Sequence, residues 1–145
     1  MEENKKEKAI IVSGYFNPLH KGHLEYFQRS KEMGDKLFVV VNNDNQRLLK
    51  GSKEFMLEDE RMLIIESLSV SDFTVLSIDQ DKTVCKTLEF IYNKYYHKYQ
   101  FYFANGGDQS IDNIPELKTC QMLGINLLDG LGKKIQSSSW LLNKE

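Results

Sequence analysis

The stretch KAIIVSGYFNPLHKGH, residues 8–23, decides the fold. It opens with a strand predicted over 8–13, in which residues 9–12 are apolar in series, as burial on both faces of a parallel sheet requires. Gly14 ends this strand, and the turn residues that follow lead into helical spacing over 21–33. A buried strand that passes through a glycine turn into a helix is the first unit of a doubly wound α/β sheet.

The same alternation of short apolar runs and helical spacing continues along the chain. Further strands are predicted over 36–41, 73–78, 101–104 and 125–128. Between them we expect a short helix around Leu48 and Leu49, helices over 57–68, 83–92 and 115–123, and a last short helix that starts near 137–139. Five strands with right-handed crossovers predict one domain over residues 1–145, a Rossmann-like, doubly wound, five-stranded parallel sheet of order 3-2-1-4-5.

Composition and charge narrow the possible partners. The 145 residues include 19 basic and 21 acidic side chains, a net charge of −2, so we expect neither nucleic acid nor a membrane as partner and a local site for a small ligand. The two cysteines, Cys85 and Cys120, lie far apart and outside any Cys-x-x-Cys pattern, which favours reduced thiols. No segment approaches membrane-spanning length, and we expect a soluble, cytoplasmic protein.

His20 and His23 are the first candidates for chemistry, because residues three apart share one face of the first helical turn. In an open α/β sheet this turn lies at the carboxyl edge of the strands, where ligands bind. Gly22 lets a phosphate approach the N–H groups at the helix start, and two imidazoles can converge on one anion. The favoured interpretation is that the two imidazoles stabilise a phosphoryl group under attack. The alternatives are a histidine that only makes hydrogen bonds within the turn, and half of a metal site. No further ligands with zinc spacing lie nearby, so no protein metal site is expected.

These residues form a segment that resembles the HxGH motif of the cytidylyltransferase-like nucleotidyltransferase superfamily, written Gly-x-Phe-Asp/Asn-Pro-x-His-x-Gly-His. The resemblance runs from Ile10 to about Leu142. It looks closest to the adenylyltransferase domain that activates heptose 1-phosphate, with glycerol-3-phosphate and ethanolamine-phosphate cytidylyltransferases as relatives. Four further segments fall in the family's order, namely Val41-Asn42-Asn43-Asp44, Leu49-Lys50-Gly51, Glu60-Arg61 and Gly106-Gly107-Asp108.

The resemblance implies roles for individual residues. The motif histidines of such enzymes contact the triphosphate, so His20 and His23 are expected to bind the nucleotide and to act in catalysis. The motif residues around them are expected in the same nucleotide site, namely Gly14, Tyr15, Phe16, Asn17 and Gly22. Lys50 and Arg61 match positions that hold phosphate groups in relatives, which makes both candidate clamps for the substrate phosphate and Lys50 a catalytic candidate. A solvated surface charge is the alternative for each.

Two later segments are also expected at the nucleotide. Strands one and four are neighbours at the switch point, so the turn with Gly106 and Asp108 should face the histidine loop, where it can approach a ribose or base; a plain turn is the alternative. Relatives commonly carry lysine in place of Asn105, which leaves donor and acceptor open. The run Ser137, Ser138 and Ser139 matches a Ser-Thr-Thr run that takes the β- and γ-phosphates in the family, and an ordinary helix cap is the alternative.

The resulting expectation is in-line attack by an acceptor phosphate on the α-phosphorus of ATP or CTP, with release of pyrophosphate and Mg²⁺ bound through the triphosphate. The acceptor class is a phosphorylated sugar, polyol or amino alcohol. Two rivals remain, a coenzyme-type adenylyltransferase of the NAD or CoA pathway and a catalytically idle nucleotide sensor. The aromatic-rich segment 91–101 is interpreted as a possible dimer face, and a homodimer is expected.

Overall fold

A parallel sheet of five strands forms the centre of the protein in its computed structural model, which describes residues 6–51, 53, 56–105 and 114–129. The strands are β1 (Glu7–Gly14), β2 (Lys36–Val41), β3 (Phe73–Leu76), β4 (Tyr99–Asn105) and β5 (Asn126–Asp129). The helices are α1 (Lys21–Glu32), α2 (Asp44–Lys50), α3 (Glu58–Glu66), α4 (Cys85–Tyr95) and α5 (Glu116–Leu123). The expected helix near 137–139 lies outside the described residues.

The strand order is β3-β2-β1-β4-β5, with every neighbouring pair parallel, which confirms the predicted fold. β1 is the central strand and pairs with β2 on one side and β4 on the other. In the register with β2, Gly14 faces Val41, so both strands end together at the carboxyl edge. The histidine loop and the start of α2 therefore leave the sheet side by side.

The continuous apolar run of β1 is explained by burial on both faces of the sheet. Ala9 and Ile11 belong to one core cluster, and Ile10 and Val12 to the other, all with no exposed surface. The first cluster includes residues of α4 and α5, and the second includes residues of α1 and α3. Helices thus cover both faces, which is the doubly wound arrangement.

The start of α4 is capped from the segment that precedes the helix. α4 begins at Cys85, its N-cap residue makes no side-chain capping bond, and the backbone N–H of Cys85 donates to the Thr83 hydroxyl at 3.3 Å. The buried carboxylate of Asp79 adds two further capping bonds, from the backbone N–H groups of Lys86, at 2.7 Å, and Thr87, at 2.9 Å. A carboxylate at a helix start also meets the positive end of the helix dipole.

The aromatic segment considered for a dimer face is divided between core and surface. Tyr99 and Phe101 are only 3% and 2% exposed and pack in the core, so burial within the chain explains their aromatic character. Tyr96 is half exposed. Within the described part of the chain, no helix combines the length and the apolar character needed to cross a bilayer.

Candidate active site

The loop after β1 forms one wall of a cavity of about 380 Å³ at the carboxyl edge of the sheet. The residues that line it are Gly14, Tyr15, Phe16, Asn17, Pro18, His20, His23 and Lys50. Lys50 is the last residue of α2, so the cavity unites the histidine motif with a lysine from a separate sequence motif. A cavity of this size falls in the range of small-molecule sites.

His20 and His23 cap the helix they begin. His20 is the N-cap of α1, and its Nδ1 accepts from the backbone N–H of Gly22 at 3.1 Å. In return, the Nδ1 of His23 accepts from the backbone N–H of His20 at 3.1 Å. This reciprocal pattern is a capping box in which imidazoles replace the usual hydroxyl and carboxylate. The backbone N–H of Gly22 is therefore engaged by His20, and the expected approach of a phosphate to this helix start stays a prediction.

The same two hydrogen bonds fix the histidine tautomers. Because each Nδ1 is an acceptor, we assign the proton of each neutral ring to Nε2, which remains for a ligand. The ring centroids lie 3.9 Å apart with the planes tilted by 31°. Burial, and secondarily the neighbouring His20, lower the pKa of His23 from 6.5 to about 4. At neutral pH His23 is therefore an uncharged hydrogen-bond donor.

Phe16 lies beneath His23 and supports its ring. Its backbone has φ 54°, a left-handed conformation that is uncommon for a bulky residue and typical of constrained functional loops. The Phe16 ring is 2% exposed and makes edge-to-face contacts with His23 at 4.9 Å and Phe27 at 5.2 Å. A Cβ atom on Gly14 would approach this ring to 2.7 Å, so glycine is required there for close approach.

Asn17 connects the histidine loop to the segment between α2 and α3. Its side-chain amide donates to the backbone oxygen of Lys53, and its Oδ1 accepts from the backbone N–H of Met56 at 2.9 Å. The side chain of Asn17 therefore binds protein on two sides. These two bonds tie the loop that lines the cavity to the segment that leads into α3.

The position of Lys50 follows from the way α2 is anchored. Asn43 and Gln46 form a capping box at its start, and Gly51, with φ 82°, ends it. Gln46 also donates to the backbone oxygens of Asp81 at 2.7 Å and Thr83 at 2.8 Å. From this fixed helix, the Lys50 Nζ lies 4.4 Å from the centre of the Tyr15 ring. The Asn-x-x-Gln spacing of the capping box was a sequence signal for α2 that the sequence analysis missed.

Arg61 is buried within the fold. Its side chain has no exposed surface and forms a 2.7 Å ion pair with Asp44. Three further bonds reach the backbone oxygens of Met56 at 3.1 Å, Tyr15 at 2.8 Å and Asn42 at 2.6 Å. These bonds all go to protein atoms, and the expected role of Arg61 as a phosphate clamp stays a prediction. A solvated surface charge does not describe Arg61.

The remaining site predictions lie beyond what the structure describes. Gly106, Asp108, Ser137, Ser138 and Ser139 are outside the described residues. Among the residues that are described, no group of three or more His, Cys, Asp or Glu side chains comes together as a metal site would need.

A parallel sheet that presents the two histidines of an HxGH turn at its switch point is typical of nucleotidyltransferases, and the protein is an enzyme of this class. The family model described as Cytidylyltransferase-like matches residues 11–127, and the chain belongs to that family.

Individual relatives agree with the family assignment. Bifunctional protein HldE of Citrifermentans bemidjiense is 35% identical over 115 residues, 78% of this chain and 22% of that protein. Bifunctional protein HldE of Blochmanniella floridana is 33% identical over 110 residues, 74% of this chain and 21% of that protein. The chain thus spans about a fifth of the length of these curated relatives. A solved structure, the lipopolysaccharide core biosynthesis protein from Thermoplasma volcanium GSS1, has a TM-score of 0.62 and 26% identity, covering 84% of this chain and 93% of that one.

Proposed function

We propose that the protein transfers AMP or CMP from ATP or CTP to the phosphate of a phosphorylated sugar, polyol or amino alcohol, and releases pyrophosphate. The observation that carries this proposal is the cavity that His20, His23 and Lys50 line together. The solved relative is named for lipopolysaccharide core biosynthesis, which favours a sugar phosphate as the first acceptor to test.

In the proposed reaction, an oxygen of the acceptor phosphate attacks the α-phosphorus while the bond to pyrophosphate breaks. A phosphate monoester has its second pKa near 6, so it is largely ionised at neutral pH and needs no general base. The Nε2–H groups of His20 and His23 donate to the phosphoryl oxygens on which charge develops. Lys50 offsets the negative charge of the approaching acceptor phosphate.

Mg²⁺ is proposed to enter bound to the triphosphate. The described residues that line the cavity include no carboxylate, the ligand type this ion prefers from protein, so these residues fit a metal carried by the substrate. When bound in this way, the ion would neutralise charge on the phosphates. No step of the proposed reaction is assigned to a protein-bound metal.

The segments outside the described residues have proposed roles as well. Gly106 and Asp108 are assigned to the ribose or base, and Ser137, Ser138 and Ser139 to the β- and γ-phosphates. The basis is their match to the family motifs.

A pyrophosphate-release assay tests the proposal, with four nucleotides screened against sugar, polyol, amino-alcohol and coenzyme-precursor phosphates. His23→Ala should lower kcat by about 100- to 1000-fold, roughly 3–4 kcal/mol, with nucleotide affinity largely retained. His97→Ala is the matched control, because His97 is exposed and follows α4, outside the cavity. Nucleotide binding without turnover for any acceptor would support a sensor, and turnover confined to the coenzyme precursors would support the rival transferase.

A further inference from the structure

We propose that Tyr15 is a positioning residue whose ring holds the Lys50 ammonium group at the mouth of the cavity. The contact between Tyr15 and Lys50 does not depend on the proposed function. The proposed function supplies only the ligand that Lys50 binds, an acceptor phosphate. The two residues come from separate elements, since Tyr15 belongs to the loop after β1 and Lys50 ends α2. Both line the same cavity as the histidine pair.

The contact has the geometry of a cation–π interaction. The Lys50 Nζ lies 4.4 Å from the Tyr15 ring centre, well inside the range over which an ammonium group is attracted to a ring face. Burial raises the pKa of Tyr15, so the phenol is uncharged at neutral pH and the contact is not an ion pair. A neutral ring leaves the full lysine charge for a phosphate, whereas a carboxylate partner would cancel it.

The Tyr15 ring is itself fixed relative to α2. Its backbone oxygen accepts from Arg61 Nη1 at 2.8 Å, and its hydroxyl lies 3.5 Å from the backbone oxygen of Gln46. Gln46 is on the same helix as Lys50 and is anchored through its side chain. The Tyr15 ring and the Lys50 side chain are therefore both positioned relative to α2.

This arrangement has a consequence for acceptor binding. A lysine at the exposed end of a helix samples many rotamers, and binding a phosphate must select one of them. Contact with the Tyr15 ring favours the Lys50 rotamers that place the ammonium group at the cavity before the phosphate binds. Loss of the ring should therefore raise the acceptor KM.

NMR tests the contact without reference to activity. The ε-methylene protons of Lys50 should be shifted upfield by the ring current in the full chain, and assignment through Lys50→Arg identifies their signal. Tyr15→Leu should abolish the shift, while Tyr15→Phe, which keeps the ring, should restore it. Phe90→Leu is the matched control, because it removes an exposed ring near Lys94 on α4, 5.8 Å from that lysine's Nζ.

Kinetics test the consequence. Tyr15→Leu should raise the acceptor KM about two- to fivefold, the range expected for an exposed cation–π contact, and Tyr15→Phe should recover most of it. Adding Tyr15→Leu to Lys50→Ala should change the acceptor KM no further. An unshifted Lys50 signal in the unmodified protein, or additive effects in the double variant, would overturn the proposal. A ring-current shift without turnover of any acceptor supports the positioning role and overturns only the proposed reaction.

Discussion

His20 caps the helix through Nδ1 and, in the proposed reaction, donates to the phosphoryl group through Nε2, so a single substitution can separate the two roles. Asparagine is a preferred N-cap residue, and its amide oxygen can replace Nδ1 as the acceptor for the Gly22 N–H. We expect His20→Asn to keep the unfolding free energy within a few tenths of a kcal/mol while turnover falls at least about 100-fold. Thermal unfolding and pyrophosphate release measure the two effects. Normal turnover in this variant would show that the Nε2 of His20 is not a catalytic donor.

His23 gives the protein a defined pH dependence. Its pKa is lowered from 6.5 to about 4 in the folded chain, so as the pH falls through this window the unfolded chain takes up a proton that the folded chain does not. The folded state should therefore lose stability from about pH 6.5 to 4 and lose no more from this group below that. Glutamine is a preferred residue at the N3 position of a capping box, which His23 occupies, and its side chain does not titrate.

Denaturant unfolding at several pH values compares the unmodified protein with His23→Gln. The variant should match the unmodified stability near pH 7 and decline less as the pH falls to 4. Parallel stability curves would contradict a buried, neutral His23.

At the scale of elements, Arg61 joins the histidine loop, the end of β2, the start of α2 and the approach to α3. Lysine has a single ammonium group and cannot reproduce the planar fork that makes these bonds. Arg61→Lys should therefore cost about 2–4 kcal/mol of unfolding free energy, because buried acceptors lose their donors. Denaturant unfolding, with Arg29→Lys on α1 as the control, measures the cost. A loss of unfolding free energy below about 0.5 kcal/mol would show that the Arg61 side chain is not buried among these acceptors.

The elements show where sequence reasoning succeeded and where it failed. The order of the five strands followed from apolar runs and crossover rules, because both are local or topological. Lys50 was assigned to the site only through the family resemblance, and the structure places it in the same cavity as the two histidines. The burial of Arg61 did not follow, because it depends on four acceptors spread over several segments. For the same reason Asp79 was missed as the cap of α4.

At the scale of the whole molecule, nucleotide affinity should depend on residues far from the histidines in sequence. If Ser138 and Ser139 hold the β- and γ-phosphates, replacing both with alanine should weaken binding of a triphosphate while binding of the matching monophosphate hardly changes. Calorimetric titration with both nucleotides measures the difference. A helix cap alone would lower stability by about 1 kcal/mol and leave triphosphate affinity intact.

The two core clusters differ in how early their residues are synthesised. The cluster beneath the histidines draws its buried members from residues 10 to 65, with Ala104 as the single later one among the described residues. The opposite cluster needs residues 84 to 125. Because a chain leaves the ribosome from its N-terminus, the histidine turn, α2 and the supporting core can collapse together while the second half is still being translated. On this view the two histidines reach their positions during translation, and β4 later docks against a β1 whose other edge is already paired.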